Sequence, residues 1–313
     1  MNTMNNVDEY QVVNSPFKWV GGKSRLRNQI VALIPEHTCY VELFAGAAWV
    51  LFAKPPSKVE VLNDIDAELV NFFRVVKYQP EEFIQSFEWD LVSRDEFERL
   101  ANIDIATLTE IERAHRFYYI IMAGWGGELH YPRFQTSITD GGHGNRLIGA
   151  LKYLKQRIEP VYERLHKVII ENLDWKSCFK RYDRSKTVMY IDPPYPNNGC
   201  NYLHNMRSWD EHRQLAEYLH NSTCQWILSS YDIPEIHSLY NNFHIMPVQS
   251  YSGMRVKKDD TSRILNREVL ITSFKVPKIN TQEMQVGQMR LLENALADGD
   301  SYRACSVVDT ISS

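Results

Sequence analysis

Apolar residues recur first at helical and then at strand spacing along the start of the chain. The segment 24–34 has apolar residues three and four positions apart and ends before Pro35, which predicts a helix. Short apolar runs at 39–44 and 59–62 predict strands, and each is followed by a helical pattern, the second at about 66–77. This alternation favours a parallel sheet with βαβ connections.

The pattern changes in the middle of the chain. Between residues 81 and 112 ten acidic residues stand against two basic ones, which predicts solvated helices. The following stretch, 117–144, is rich in aromatic residues and glycine and has little periodicity, which predicts loops or a hairpin. Strand patterns return at 187–191, 225–229 and 268–274, and Ser208 with Glu211 forms a capping box that opens a helix through 220.

These patterns predict an α/β protein with one interrupted domain. Residues 12–75 and 166–276 would form the α/β sheet domain, and residues 76–165 a smaller, mainly helical insert. Residues 277–313 would form a polar tail with a short helix at about 289–297.

Composition indicates which broad class of protein this is, but it does not identify a function. The 313 residues are 44% hydrophobic and 24% charged, which is typical of a globular protein. The longest apolar stretches fall short of the roughly 20 residues of a membrane span, and no signal peptide is visible at the N-terminus. The five cysteines contain no CxxC pair and the ten histidines suggest no ligand spacing, so we expect no metal, no disulfide framework and a cytoplasmic location.

The most informative motif is Asp192-Pro193-Pro194-Tyr195, directly after the predicted strand 187–191. Ligands of open α/β sheets bind outside the carboxyl ends of strands. The prolines fix the backbone and remove two N–H donors, which leaves carbonyl acceptors. Asp192 and the Pro193 carbonyl would accept the hydrogen bonds of an exocyclic amine while Tyr195 stacks on a planar ring.

A second motif lies at 41–47, where a strand enters a glycine turn before a helix. Small residues around Gly46 let a ligand approach the backbone closely. Asp64, at the end of the next predicted strand, is placed to accept hydrogen bonds from ribose hydroxyls.

A third motif, Gly-Gly-Lys-Ser at 21–24, lacks the features of a nucleotide-triphosphatase loop. The first glycine of that loop would have to stand at Phe17, and no strand leads into it. Trp19 and Lys23 are instead suited to contact an aromatic ring and a carboxylate.

In this order, the Trp-x-Gly-Gly-Lys motif at 19–23, the glycine turn at 44–48, Asp64 and the motif at 192–195 resemble the Dam-type (D12 class) DNA adenine-N6 methyltransferases. The resemblance covers about residues 15–275. One position departs from the family pattern, because Ala48 stands where the turn ends in glycine.

The resemblance implies a Rossmann-like methyltransferase sheet whose cofactor is S-adenosylmethionine. Trp19 and Lys23 would line its pocket, with Lys23 near the methionine end. Phe44 and Gly46 would contact the adenosine, and Asp64 would bind the ribose hydroxyls.

The resemblance further implies that Asp192, Pro193, Pro194 and Tyr195 hold the target adenine, with Asp192 also bordering the cofactor. The adenine must leave the duplex, which costs a few kcal/mol of unstacking. The expected reaction is a direct methyl transfer to N6, without a covalent enzyme intermediate. We expect a monomer acting on double-stranded DNA in a bacterial or phage-infected cell, with a restriction–modification context possible.

Charge distribution decides whether a DNA partner is reasonable. The net charge of −4 argues against one. Between residues 113 and 186, however, 14 bases stand against 7 acids, and a second basic cluster includes Lys257 and Lys258. These segments could contact phosphates, and Arg133, in the predicted hairpin with Trp125, is the candidate for reading a base edge.

Two later segments are less informative. Residues 228–232 would either line the site or form a surface turn, and residues 266–271 are expected to be structural.

Two alternative functions remain open at this point. The same amine clamp would suit an enzyme that methylates RNA adenine or a protein glutamine amide. The chain could also be a non-catalytic DNA-binding relative, although the intact Asp192 and Tyr195 argue against this.

Overall fold

The computed structural model describes residues 11–126, 129, 132–136, 144–196, 206, 208–256 and 263–276, with the backbone alone for 249–256 and 263–266. The chain divides into two compact units, Met1–Phe274 and Lys275–Ser313, and every named element belongs to the first.

A seven-stranded sheet forms the centre of this unit, with strand order β3-β2-β1-β4-β5-β7-β6. The pairs from β3 to β5 are parallel, whereas β7 runs antiparallel to both β5 and β6. The strands are β1 (Cys39–Glu42), β2 (Val59–Asn63), β3 (Val168–Glu171), β4 (Thr187–Ile191), β5 (Gln225–Tyr231), β6 (His244–Val256) and β7 (Arg263–Thr272).

Helices connect the strands, and polar side chains define where several of them begin. Asp66 accepts hydrogen bonds from two first-turn amides of α3, and Ser208 caps α10 as predicted. The helices are α1 (Arg27–Leu33), α2 (Trp49–Ala53), α3 (Ala67–Tyr78), α4 (Pro80–Gln85), α5 (Arg94–Asn102), α6 (Glu110–Ala123), α7 (Arg146–Lys152), α8 (Leu154–Leu165), α9 (Trp175–Tyr182), α10 (Trp209–His220) and α11 (Pro234–Leu239).

Side chains alternate between the two faces of the sheet, and this alternation determines which residues can meet. One face carries the apolar core that packs against α9, α10 and α11 and includes Val41, Val61, Ile191, Leu228 and Val269. The neighbouring position of each strand therefore points to the opposite face, where the polar residues of the site lie.

The predicted Rossmann-like α/β class is confirmed, and several predicted elements coincide with observed ones. Strand β4 has the predicted bounds, and β1, β2, β5 and β7 overlap their predictions. Strands β3 and β6, which occupy the two outer positions of the sheet, were not predicted from the sequence. Between β2 and β3 the described elements are all helical, from α3 to α8.

The prediction of loops or a hairpin from 117 to 144 is wrong at its start. Helix α6 continues to Ala123, and its residues from Phe117 onward are almost all fully buried. A helix that is apolar on every side has no amphipathic period, so periodicity could not reveal it. The hairpin prediction holds for the short bridge between Gly124 and Phe134.

Within the described residues, no helix combines the length and apolar character that crossing a membrane requires.

Candidate active site

The site lies where the order of the parallel strands reverses. From β1 the chain moves outward to β2 and β3, and β4 then returns to pair with the other side of β1. Connecting segments diverge at such a point and leave a crevice at the carboxyl ends of the strands. Asp64 follows the end of β2 and Asp192 follows the end of β4, so both acids lie at this edge.

Asp192 is held by donors from two different segments. Ser229 on β5 is fully buried, and its hydroxyl donates to Oδ1 of Asp192 at 2.7 Å. Lys23 Nζ donates to Asp192 Oδ2 at 2.8 Å and lies at the same distance from Oδ1. The Asp192 side chain is 17% exposed, so its carboxylate remains accessible to a further donor. Each carboxylate oxygen can accept more than one hydrogen bond, so these contacts do not saturate it.

Lys23 reaches Asp192 because the two preceding glycines allow a tight turn. Gly21 adopts a φ of 72°, and the Gly22 amide donates to the Trp19 carbonyl at 3.0 Å. A Cβ on Gly22 would lie 3.0 Å from that carbonyl oxygen and 3.0 Å from the Trp49 indole nitrogen. Lys23 then folds back, and its Nζ also donates to the Gly21 carbonyl at 2.9 Å. The glycines therefore serve the placement of a lysine, not of a phosphate.

Tyr195 is fixed by three contacts. Its hydroxyl donates to Glu268 Oε2 at 3.0 Å, and Lys23 Nζ lies over its ring, 4.8 Å from the centroid. Its ring also meets that of Tyr231 edge to face, with centroids 4.6 Å apart. Burial, together with the charges of Asp192 and Glu268, raises the pKa of Tyr195 well above its ordinary value, so the hydroxyl stays protonated. Because Tyr195 is only 8% exposed, a base can stack on it only when its surroundings open.

Two prolines stand between Asp192 and Tyr195, directly after β4. Pro193 is buried and Pro194 is half-buried. Neither has an N–H group to donate, so this backbone presents only acceptors to a ligand.

The glycine turn and Asp64 meet through the backbone. The Gly46 amide donates to Asp64 Oδ2 at 3.0 Å, and the Asp66 amide donates to Oδ1 at 3.0 Å. Burial raises the pKa of Asp64 to about 6, although these two amide donors oppose the shift. Gly46 has a φ of 47°, and a Cβ on it would lie 3.0 Å from the indole of Trp19. Glycine is therefore required here both by conformation and by space.

Ala48 occupies the position at which the turn departs from the family pattern, and its backbone is strained. It precedes α2 with a φ of 53°, and among the described residues it is the one non-glycine with positive φ. The left-handed conformation costs an L-residue roughly 1–2 kcal/mol. The turn thus keeps the shape that glycine would favour.

The aromatic residues predicted for the cofactor pocket lie beside this turn. Trp19 is half-buried, stacks on Phe117 of α6 with centroids 5.9 Å apart, and approaches Gly46 as described above. Phe44 is half-buried and packs against the apolar core below the sheet. Trp19, Gly46 and Asp64 therefore surround one region of the crevice, next to the Lys23–Asp192 pair.

Glu42, at the end of β1, is a buried acid that sequence reasoning did not single out. Its Oε1 accepts hydrogen bonds from the Tyr40 hydroxyl at 3.0 Å and the Leu51 amide at 2.5 Å. Burial raises the pKa of Glu42 to about 8, against the opposing effect of those donors and of Lys54. At neutral pH it is therefore mostly protonated and adds little negative charge beside Asp192.

Trp125 and Arg133, the predicted DNA-contacting residues, lie on a separate element. They face each other in the hairpin that follows α6, where the Trp125 amide donates to the Arg133 carbonyl at 2.7 Å. Trp125 is 52% exposed, and the adjoining bridge joins Gly124 to Phe134. Lys257 and Lys258 lie outside the described residues.

Two site residues were missed or undervalued by sequence reasoning. Residues 228–232 were left open between site and surface, and Ser229 proves to be buried and bonded to Asp192. Glu268 was expected to be structural, but its carboxylate contacts Tyr195 and lies 3.9 Å from Lys23 Nζ. The available signal was a charged residue inside an otherwise apolar strand pattern at 268–274.

Comparisons with known proteins identify the family of the chain. Residues 19–254 match the model of the D12 class N6 adenine-specific DNA methyltransferase family. The chain is 26% identical over 295 residues to the Type II methyltransferase M1.LlaDCHI of Lactococcus lactis subsp. cremoris, covering 87% of this chain and 99% of that protein. It is 25% identical over 262 residues to the DNA adenine methylase of Salmonella typhi, covering 78% and 92% respectively.

Among solved structures, the chain resembles a precorrin 8W decarboxylase of Methanobacterium thermoautotrophicum with a TM-score of 0.36 and 11% identity. The match covers 85% of this chain and all of that one, but such a score supports no inference. The family match instead spans about three quarters of the sequence and includes all four motifs that carry the resemblance. The chain belongs to the D12 class of N6 adenine-specific DNA methyltransferases.

Proposed function

We propose that this DNA adenine methyltransferase takes its methyl group from S-adenosylmethionine and transfers it to N6 of an adenine turned out of double-stranded DNA. The observation that carries the proposal is the accessible Asp192 carboxylate, held by Lys23 and Ser229 at the carboxyl edge where the strand order reverses. Membership of the family favours adenine in DNA over the alternatives of RNA adenine and a protein glutamine amide.

Asp192 and the Pro193 carbonyl would accept the two N–H bonds of the adenine N6 amine. Accepting both hydrogens draws the nitrogen lone pair out of conjugation with the ring, which makes N6 a better nucleophile. The carboxylate also stabilises the positive charge that develops on N6, as preorganised electrostatics at the position where charge appears. The two prolines hold the acceptors rigidly, so positioning adds to the effect.

Tyr195 would stack on the target base after it leaves the duplex. Stacking on an aromatic side chain returns about 1–3 kcal/mol, which offsets much of the cost of unstacking. The low exposure of Tyr195 means that base binding is coupled to an opening around the ring.

The residues of the glycine turn fit an adenosine-containing cofactor. Because Gly46 has no side chain, the Trp19 indole packs directly against the turn, where a Cβ would approach it to 3.0 Å. Asp64, already bonded to the Gly46 amide, has acceptor capacity left for a ribose diol. When bound, S-adenosylmethionine would supply an electrophilic methyl group on a sulfonium. Lys23 and Phe44 would complete the pocket at the methionine and adenosine ends.

The hairpin that carries Trp125 and Arg133 would contact DNA, with Lys257 and Lys258 as further phosphate contacts. Its base is tied down by Asn145, whose amide group donates to the Ala123 carbonyl at 3.0 Å and the Gln135 carbonyl at 2.6 Å. One buried side chain thus links the end of α6 to the returning segment of the hairpin. The protein would act as a monomer in the cytoplasm of a bacterial or phage-infected cell.

Methyl transfer is tested with purified protein, tritiated S-adenosylmethionine and plasmid DNA that lacks N6-methyladenine. We expect label in N6-methyladenine, and more of it on duplex than on single-stranded DNA or RNA. Nucleoside analysis of the product identifies the methylated atom. Label confined to cytosine, RNA or protein, or no label at all, would refute the proposal.

The hairpin assignment is tested separately through Asn145→Ala. We expect DNA affinity to fall about tenfold while S-adenosylmethionine affinity stays unchanged, because the variant loosens the hairpin and uncaps α7, and neither supplies a residue to the proposed cofactor pocket. Asn102→Ala, which removes an exposed side-chain hydrogen bond to the Glu98 carbonyl, is the matched control. Equal DNA affinity in both variants would remove the hairpin from the DNA interface.

A further inference from the structure

Glu268 is a buried carboxylate that no catalytic role yet explains. It lies on β7, the antiparallel strand next to β5, directly opposite Tyr231 in the strand register. It is 7% exposed. A carboxylate is rarely retained in a sheet interior without partners, because burying a charge is costly. Its partners are therefore the guide to its role.

Two donors of the site converge on this carboxylate. The Tyr195 hydroxyl donates to Oε2 at 3.0 Å, and Lys23 Nζ lies 3.9 Å from the same oxygen. Lys23 is at the same time bonded to Asp192 at 2.8 Å. One cation is thus shared by two carboxylates, and one of these carboxylates orients the tyrosine of the motif.

We propose that Glu268 is a positioning residue for methyl transfer, fixing the Tyr195 ring through its hydroxyl and sharing Lys23 with Asp192. The inference rests on the proposed roles of Asp192 and Tyr195 as the adenine clamp. Strand β7, which carries Glu268, would therefore help to position both Asp192 and Tyr195.

The chemistry explains why an acceptor is needed at this position. A tyrosine ring that stacks on a base has two soft torsions, and tethering its hydroxyl removes much of that freedom before the base arrives. Glu268 also lies 3.9 Å from Lys23 Nζ, so it helps to hold the lysine that donates to Asp192.

The hydrogen bond is tested with a double-mutant cycle of Glu268→Leu and Tyr195→Phe. The second change keeps the aromatic ring and removes only the hydroxyl. We expect each single variant to lower kcat about 10- to 100-fold, with KM for S-adenosylmethionine unchanged. The double variant should match Glu268→Leu within about twofold, because the Tyr195 hydroxyl has already lost its acceptor in Glu268→Leu.

Glu268→Gln tests whether Glu268 acts as a hydrogen-bond acceptor for Tyr195 and Lys23 or is needed only for the folding of β7. Its side-chain carbonyl still accepts from both donors, so kcat should stay within about fivefold of the unchanged protein. Adding Glu268→Gln to Tyr195→Phe should have no further effect. This second cycle remains informative if Glu268→Leu does not fold.

Tyr182→Phe is the matched control. The Tyr182 hydroxyl donates to Glu171 Oε1 at 2.6 Å, a tyrosine–glutamate hydrogen bond between α9 and β3. We expect its kcat to be unchanged. If Tyr195→Phe keeps kcat within twofold, or if the losses in the first cycle multiply, the inference about Glu268 is wrong. Absence of N6-methyladenine with the unchanged protein would instead refute the proposed function.

Discussion

Two buried ionic clusters lie on the same face of the sheet and differ in their balance of charge. The scaffold cluster consists of Lys54, Glu60 and Arg164, and the site cluster of Lys23, Asp192 and Glu268. The scaffold cluster has two cations and one carboxylate, whereas the site cluster has one cation and two carboxylates.

The scaffold cluster is closed. Lys54 Nζ donates to the Pro55 carbonyl, the Ser57 hydroxyl and Glu60 Oε1 at 2.6, 2.7 and 2.7 Å, which uses all three of its hydrogens. Arg164 donates to both oxygens of Glu60 at 2.5 and 2.8 Å. Burial alone would raise the pKa of Glu60, but Arg164 and Lys54 together hold it below its ordinary value. This arrangement connects α8 to β2 and leaves little capacity for a ligand.

The site cluster contains an accessible carboxylate. Asp192 accepts from Lys23 and Ser229 and is still partly exposed, so a ligand with N–H groups can donate further hydrogen bonds to it. The comparison teaches that burial and ion pairing do not by themselves mark a functional site. In the proposed site the distinguishing feature is the exposed part of the Asp192 carboxylate.

Helix α2 lies between the glycine turn and the scaffold cluster. It begins after the strained Ala48 of the turn and ends before Lys54 of the scaffold cluster. Between them, Leu51 donates its amide to Glu42, and its carbonyl accepts from Arg164 at 3.0 Å. The helix therefore links the turn of the proposed cofactor pocket to the scaffold cluster.

The largest effect is expected for Asp192→Asn. Losing the carboxylate should lower kcat by about 10²–10³-fold, the usual cost of removing a key electrostatic group. The free energy of unfolding should change by less than about 1 kcal/mol, because Glu268 still faces Lys23. Methylation kinetics and urea denaturation measure the two quantities. Asp210→Asn, at a side chain that is 79% exposed, is the control, and a large loss of stability in Asp192→Asn would break the comparison.

Glu60→Gln should show the opposite pattern. It leaves Lys54 and Arg164 buried without a carboxylate, which costs about 3–5 kcal/mol of stability. Turnover per folded molecule should stay within twofold, since Glu60 contributes no group to the crevice. Urea denaturation followed by single-turnover assays at low temperature tests this. A kcat that falls as far as in Asp192→Asn would show that the clusters are not separate in function.

Asp64 is a third acid at this edge of the sheet, and it predicts a dependence on pH. Its hydrogen-bond donors are backbone amides and not cations. Its pKa of about 6 in the folded protein, against an ordinary 3.8, means that it gains a proton as the pH falls below 6. S-adenosylmethionine should then bind about tenfold more weakly at pH 5 than at pH 7, with a plateau above pH 7. Titration calorimetry measures this, and Asp64→Asn should remove the dependence. A flat profile for the unchanged protein would contradict the assignment.

The same shift has a consequence for stability. Because the folded pKa is raised, the contribution of Asp64 to stability is fully present below its ordinary value of 3.8 and is lost as the pH rises through about 6. Asp64→Asn should therefore stabilise the free protein above pH 6 while weakening cofactor binding. A gain in stability together with a loss of cofactor affinity would identify Asp64 as a binding residue and not a structural one.

The smallest effect is expected for Ala48→Gly, which alters the glycine turn without changing charge. Relief of roughly 1–2 kcal/mol of left-handed strain is partly offset by the greater freedom of glycine in the unfolded chain. The net expectation is about 1 kcal/mol more stability, measured by urea denaturation. Ala47→Gly, in the same turn without positive φ, should instead destabilise. Destabilisation by both would mean that the strain at Ala48 is absent.

Much of the fold followed from local patterns. Strands β1, β2, β4, β5 and β7 were predictable because each carries an apolar run between turn signals. Strand β3 was not, because only two residues, neither of them glycine or proline, separate its short apolar run from the end of α8. Helix α6 was misread from Phe117 onward, because burial on all sides removes the amphipathic period.

The sequence by itself determined the chemistry available: an acid, two prolines and a tyrosine after one strand, a glycine turn after another, and Asp64 after the next. These are local features, and their order along the chain carries the family resemblance. The roles of Arg133 and Trp125 in DNA binding stay predictions of the same kind.

Only the tertiary structure decided which of these groups are partners. The pairing of Lys23 with Asp192 joins residues 169 positions apart, and Ser229 and Glu268 enter the site through the registers of β5 with β4 and β7. Register shifts by one residue would turn both side chains to the opposite face, because side chains alternate along a strand. No local pattern encodes that pairing, since it depends on how distant strands align within one sheet.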